Sequence, residues 1–445
     1  MNDIATRLTK YLFRDDPEVE FRIANGTEAN RKGFAKIRLR MGDRKIERAQ
    51  IRFRQKTHQF RFGANLFMLD QFGNDEENAL YRERFASLFN FATVPFFWSD
   101  LEPKEGKPRF AKDSPNIYRR PAPDLCVEFC KAHDIGMKGH CLMWQTTMPK
   151  WASNDRKILE AQFEKRFREI GERYSRDIRV WDVVNENGSY QDGWRYHLLN
   201  QDMPENHYEF AFRLAEKYFP GCELLHNDSF WPQRQCYSMP LLLTENLRNR
   251  GCRIDGIGTF AHQTWNAKTD FEAMMQPAHA VFLNAMRILR ALDALGRLGI
   301  PVNVSELTIN GYLGDDYQEQ VLERLCRLYF SHPAVNGIFY WNLVDDTAYV
   351  GVTCDENNAK GGLLRRDFSP KPAWLALERL IHHEWMSSGT LDYQLGEANK
   401  FHGFYGTYEL EIETDAGVFR REISLSKFSE NRFEIDCSVD GEITH

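Results

Sequence analysis

Between about residues 60 and 380, short runs of apolar and β-branched residues alternate with longer stretches in which apolar positions recur every third or fourth residue. A strand that is apolar along its whole length has both faces buried, as in a parallel sheet, and the amphipathic stretches supply helical crossovers between such strands. Eight strands are predicted, over 60–67, 91–97, 137–143, 180–185, 223–227, 256–262, 302–305 and 337–341. Helices are expected over 157–170, 205–218, 278–295 and 317–329, with Pro204 and Pro240 near helix starts, where a missing N–H does no harm. Eight βα repeats of roughly forty residues match an α/β fold of the (β/α)8 TIM barrel type. An open doubly wound sheet is the competing arrangement. It has little support, because Gly256-Ile257-Gly258 lacks the third glycine and the helix start of a dinucleotide site.

The flanks are patterned differently. Residues 35–53 alternate apolar and polar around the turn Met41-Gly42-Asp43, and 408–439 do the same around Asp415-Ala416-Gly417, which predicts antiparallel β structure. A barrel starts its first strand and ends its last helix at the same, non-catalytic end, so both flanks are expected to join in one small β-sandwich. The expected division is therefore an N-terminal β segment over 1–57, the barrel over 58–384 and a C-terminal β segment over 385–445. Phe401, Phe404 and Tyr405 are expected to be exposed there, and a structural brace is favoured over a carbohydrate-binding module.

Composition narrows the partners. With 445 residues and 42% hydrophobic content the chain can bury a large core, and a net charge of -6 without any long basic run leaves no footprint for nucleic acid or an anionic membrane. Aromatics at 13%, including 10 Trp, exceed the needs of a core and suit a neutral sugar, whose apolar face stacks on such rings. The 9 cysteines include no Cys-x-x-Cys pair, and Cys126 and Cys130 at helical spacing read as small core residues, so reduced thiols are expected. The N-terminus has no apolar core of signal-peptide length and no window reaches a membrane span, which points to the cytoplasm for the chain as it stands, or to secretion after removal of a leader. Neither His-x-His nor His-Glu-x-x-His occurs, so no metal and no cofactor are expected.

Two predicted strands end alike, Trp-Asp-Val-Val-Asn-Glu at 181–186 and Val-Asn-Val-Ser-Glu-Leu at 302–307. A lone glutamate at a strand end is most often a solvated loop residue. Twice at the end of an apolar strand, on the fourth and seventh strands of a barrel, the desolvation cost argues for chemistry, with both carboxyls facing one pocket. Two carboxyl groups about 5 Å apart can cleave a glycosidic bond with retention, one protonated to assist the leaving oxygen and one ionised to attack the anomeric carbon.

These segments resemble glycoside hydrolase family 10, the retaining endo-1,4-β-xylanases, and the likeness runs through most of the chain. It includes Phe60-Arg61-Phe62-Gly63, Leu101-Glu102-Pro103, Gly139-His140-Cys141-Leu142-Met143-Trp144, Asn227-Asp228, Gly256-Ile257-Gly258 with His262, Ser305-Glu306-Leu307 and Ser369-Pro370-Lys371-Pro372-Ala373. The resemblance implies Glu186 as acid/base, Glu306 as nucleophile, His262 as the residue that orients the nucleophile, and Asn185 as partner of the sugar 2-hydroxyl. By itself His262 is as readily a satisfied core histidine. The resemblance also implies His140, Trp144, Gln145, Trp98, Phe97, Phe260, Trp341 and Tyr349 around the sugar, and Trp265 joins Trp194 and Trp231 as a loop residue expected near it.

The chain departs from the family pattern in its grip on sugar. Val94 and Phe97 stand where the family has an amide and an ammonium, Gln145 where it has a histidine, Phe260 where it has a glutamine and Tyr349 where it has a second tryptophan. Each lost hydrogen bond is worth on the order of 1 kcal/mol, so the sugar preference should change while bond cleavage survives. Phe96, Phe97 and Phe260 are expected to make the pocket more apolar, which suits a decorated glycan or an aglycone-bearing glycoside as the alternative substrate. From another functional class, a non-catalytic glycan-binding barrel would use the same pocket without turnover.

Overall fold

The structure is a computed structural model and describes residues 3–186, 206–228, 237–263, 283–351, 355–438 and 443–444. Two compact units result, one of Met1–Asp15, Phe62–Tyr329 and Ala334–Leu375, the other of Asp16–Arg61, Phe330–Pro333 and Ala376–His445. Among the described residues no helix is long and apolar enough to cross a membrane.

The N-terminal flank carries β1 (Lys32–Met41), β2 (Arg44–Lys45) and β3 (Arg48–Gln55), in which buried and exposed residues alternate over much of the longer strands. Residues 3–31 correct the expected β segment. They form the helices Asp3–Thr9 and Pro17–Arg31, and the second starts where the Asp16 carboxylate accepts from the backbone of Glu18 and Val19, with Pro17 in the first turn.

Eight parallel strands follow: β4 (Arg61–Asn65), β5 (Phe91–Pro95), β6 (Gly136–Met143), β7 (Val180–Asn185), β8 (Glu223–Asn227), β9 (Gly256–His262), β10 (Val302–Thr308) and β11 (Val335–Tyr340). They close into a barrel in the order β10-β11-β4-β5-β6-β7-β8-β9, as a (β/α)8 fold requires. Every residue of β7 and β10 is buried, including the polar Asp182 and Asn185 of β7 and Asn303, Ser305, Glu306 and Thr308 of β10. Strand β10 runs three residues beyond its predicted end because Leu307 and Thr308 still pair with β9, so Glu306 lies inside the strand. The ladder shifts register between Val304 and Glu306, and β6 and β7 are irregular before Met143 and Val184; such bulges re-aim side chains at a barrel rim.

The C-terminal flank adds β12 (Ser388–Gln394), β13 (Lys400–Phe404), β14 (Gly406–Thr414), β15 (Gly417–Leu425), β16 (Arg432–Asp436) and β17 (Ile443–Thr444). With β1–β3 these build two sheets, β13-β1-β16-β17 with β2 beside β1, and β12-β3-β14-β15. All pairs are antiparallel except β1 with β16. Ile37, Leu39, Ile51, Leu410, Ile412, Phe433 and Ile435 meet between the sheets. Phe401 and Phe404, expected at the surface, are buried, Phe401 stacking on Phe53 with centroids 4.0 Å apart.

Candidate active site

The C-terminal ends of β7 to β10 wire a set of polar side chains around Glu306, which is only 4% exposed. Its Oε2 lies 2.9 Å from Nε2 of His262, whose Nδ1 is 2.8 Å from the Thr308 hydroxyl. That hydroxyl donates its single proton to the carbonyl of Trp341, so it accepts from His262 Nδ1–H. Burial pushes the Glu306 carboxyl up, but the hydrogen bond and charge of His262, joined by His140 and Lys138, outweigh it and hold the group below the ordinary glutamate range.

The other carboxylate oxygen is held by Asn227, whose Nδ2 donates to Glu306 Oε1 at 3.2 Å and to Asn185 Oδ1 at 2.7 Å. The Asn227 Oδ1 lies 2.7 Å from the Ser305 hydroxyl, which fixes the amide's orientation. The same residue reaches the second glutamate through its backbone, because the N–H of Glu186 donates to the carbonyl of Asn227 at 3.1 Å. Asn227 therefore ties Glu306 and the backbone of Glu186 to one point. Glu186 adopts φ +49°, a left-handed conformation that costs a non-glycine residue on the order of 1 kcal/mol. Room for Asn227 comes from Gly258, its register partner on β9, since any Cβ there would overlap Asn227 Oδ1. This packing accounts for the Gly-x-Gly that lacks a dinucleotide context.

Beneath these groups lies a buried ionic cluster. Asp182 Oδ2 is 2.8 Å from Nδ1 of His140 and 3.0 Å from Nζ of Lys138, and all three residues are at most 1% exposed. Burial raises the Asp182 carboxyl, and Lys138 and His140 together more than reverse that, so it stands below its ordinary value.

An aromatic wall adjoins the carboxylates. The ring centroid of Trp341 is 5.7 Å from that of His140 and 6.1 Å from that of His262, and Phe97 packs 5.3 Å from His140 and 5.5 Å from Trp144. The guanidinium of Arg120 sits 4.1 Å from the centre of the Phe97 ring, anchored by Asp100 at 2.8 Å. Gln145 is buried beside Trp144, and neither of its amide atoms, nor the Trp144 indole N–H, has a hydrogen-bond partner among the described residues.

Glu306, His262 and Asn185 are thus brought together, with the backbone of Glu186 joined to them through Asn227 and His140, Trp144, Phe97 and Trp341 beside them. Phe260 is fully buried with its ring 6.1 Å from His262, and Tyr349 is 47% exposed on the loop after β11. Trp98 is not part of the wall: it packs against Trp151 and Phe163, its indole N–H donating to Glu102. Phe96 likewise turns to Trp181 and Tyr174, so it does not make the pocket apolar. Trp194, Trp231 and Trp265 lie outside the described residues. Sequence reasoning assigned no role to Asn227, Lys138 or Asp182, although a lysine and an aspartate inside predicted apolar strands are themselves a signal.

The family model described as Glycosyl hydrolase family 10 matches residues 70–379. The chain is 24% identical over 389 residues to endo-1,4-beta-xylanase 2 of Arabidopsis thaliana, covering 83% of this chain and 31% of that protein. It is 23% identical over 391 residues to anti-sigma-I factor RsgI6 of Acetivibrio thermocellus, covering 86% of this chain and 45% of the relative. The chain spans less than half the length of these curated relatives. Native xylanase 10B from Thermotoga maritima shares the fold with a TM-score of 0.56 at 21% identity, over 73% of this chain and 95% of that structure.

Proposed function

The chain belongs to glycosyl hydrolase family 10, and on that premise we propose that it cleaves β-1,4 bonds of a xylan-type polysaccharide by double displacement with retention. The observation that carries this reading is the buried Glu306 carboxylate, kept ionised by His262 and linked through Asn227 to Glu186.

In the first step the Glu306 carboxylate attacks the anomeric carbon while the bond to the leaving oxygen breaks, and that oxygen takes the proton of Glu186. In the second, water gives a proton to Glu186 as its oxygen displaces Glu306 from the same carbon, so both groups return to their starting states. His262 lowers the energy of the free carboxylate and is regenerated unchanged. Asn227 uses both amide protons on Asn185 and Glu306, which leaves the amide N–H groups of Asn185 to donate to a sugar hydroxyl.

Sugar preference follows from the wall. Phe97 brings no polar handle of its own, the Arg120 guanidinium lies over its ring, and the amide of Gln145 and indole N–H of Trp144 beside it are buried without partners among the described residues. This favours a retaining enzyme that meets the sugar by stacking and by a smaller set of hydrogen bonds, with a decorated glycan or an aglycone-bearing glycoside as the alternative substrate.

The test is hydrolysis of aryl β-xylosides and xylan, with proton NMR of the first-formed anomer. Retention is expected, Glu306→Ala should abolish turnover in a folded protein, and Glu186→Ala should be partly rescued by azide or by a good leaving group. Undiminished turnover in either variant refutes the assignment. Tight binding of xylo-oligosaccharide without release of reducing sugar would replace it with a glycan-binding barrel.

A further inference from the structure

The outer faces of the two flank sheets handle charge in opposite ways. On β3, β14 and β15 the exposed charges pair across strands, Arg52 with Glu411 and Glu413, Arg54 with Glu409, and Arg420 with Glu411. On β13, β1 and β16 the register places Lys400, Lys36 and Arg432 in one row, with Arg38 two residues further along β1. All four are exposed. Like charges directly opposite one another destabilise a sheet, and here none of Lys36, Arg38 and Lys400 has a carboxylate within ion-pair distance among the described residues. Arg432 reaches only Glu430, itself highly exposed, and Glu434 and Asp436 are engaged by Arg40. The Lys400 ammonium lies instead over the ring of Phe34, 4.7 Å from its centre, and that ring is 48% exposed with His402 at 4.6 Å, its plane tilted by 30°.

We infer that this sheet face binds an anionic glycan, a chain carrying uronic acid carboxylates, at a site separate from the carboxylate pocket of the barrel. Neighbouring strands are about 4.8 Å apart and alternate residues about 6.7 Å, so the unpaired cations cover a patch on the order of 10 Å across. That suits a polymer with a carboxylate every few sugars. A duplex or a vesicle surface presents charge over a far wider area, which here meets Glu434 opposite Arg38, Glu28 and Glu430 nearby and a chain of net charge -6. A bound carboxylate would draw Lys400 off Phe34 and leave the ring for a sugar face. The choice of a glycan among polyanions rests on the glycosidase reading; the unpaired cations do not.

The test uses the full chain carrying Glu306→Ala, so that glycan is not consumed, with glucuronoxylan and its carboxyl-reduced form as probes in affinity electrophoresis and calorimetry. Tighter binding of the unreduced polymer is expected, weakened about tenfold or more by Lys36→Gln with Lys400→Gln, weakened by raising salt from about 0.05 to about 0.5 M, and reduced by Phe34→Ala. The double lysine variant, made in the otherwise unaltered chain, should hydrolyse a soluble aryl xyloside at the unaltered rate. Equal binding of both polymers, or binding indifferent to the lysine substitutions, overturns the inference, as does retention of duplex DNA or phosphatidylserine vesicles but not of glucuronoxylan. Failure of the glycosidase reading would register separately, as absent aryl xyloside hydrolysis in the unaltered chain.

Discussion

Replacing the amide that bridges the two glutamates by a carboxyl group, Asn227→Asp, is the most searching perturbation of the site. In the unaltered protein Nδ2 donates to Glu306 Oε1 across 3.2 Å. The substitution keeps size and shape but sets a carboxylate oxygen at that position, and two unit charges 3.2 Å apart repel by about 5 kcal/mol at an effective dielectric of about 20. At about 1.4 kcal/mol per pH unit this exceeds what either group can sustain while both stay ionised, so the pair takes up a proton. The carboxyl pair then has its affinity for that proton raised. On the proposed mechanism the ionised Glu306 is present only above the raised value, and activity should be lost at a higher pH on acidification than in the unaltered protein. The assay is kcat/KM on an aryl β-xyloside against pH, in parallel with Asn227→Ala, which removes the same hydrogen bonds without adding charge. Asn227→Ala should lower activity about 10- to 100-fold at every pH, from loss of a hydrogen bond to a charged group worth about 1.5–3 kcal/mol. Asn227→Asp should move the acid limb to higher pH. Superimposable profiles for the two variants would refute the argument that Asn227 sets the charge state of Glu306.

Three further outcomes follow from the same geometry. Gly258→Ala puts a methyl group onto Asn227 Oδ1, so both kcat and Tm should fall, and an unchanged kcat in a folded variant would exclude the packing argument. Asp182→Asn strips the buried Lys138 ammonium of its counter-charge and should cost about 3–5 kcal/mol in urea unfolding at neutral pH; a loss under about 1 kcal/mol would mean that the cluster is not coupled to stability. Glu306 and Asp182 both stand below their ordinary values when folded, so each adds stability that is present above the unfolded-chain value and is lost as pH falls through the folded one. Urea midpoints measured from about pH 6 down to about pH 3 should therefore decline, less steeply in Glu306→Gln, and parallel curves for the two proteins would contradict the assignment for Glu306.

The barrel strands were legible in the sequence because a strand buried on both faces is rich in apolar and β-branched residues, as Val180, Trp181, Val183 and Val184 are in β7 and Val302, Val304 and Leu307 in β10. The two glutamates stood out for the complementary reason, that a carboxylate on a buried strand is costly to desolvate, although β10 continues past Glu306 to Thr308. The alternation of 35–53 and 408–439 announced half-buried sheets in the same way, whereas the helix Pro17–Arg31 went unread because its apolar positions form no clear stripe and its burial rests on partners distant in the chain. Local pattern reports that a side chain is buried; it does not report against what. Trp98 and Phe97 are adjacent, yet one packs on Trp151 and Phe163 and the other on His140 and Trp144, a choice made by the opposite directions of neighbouring side chains and by which elements cover each side. The bridging role of Asn227, the clearance left by Gly258 and the pairing of Lys138 with Asp182 each join residues about 30 to 80 positions apart. Only barrel closure sets these distances, and an electrostatic site depends on distance.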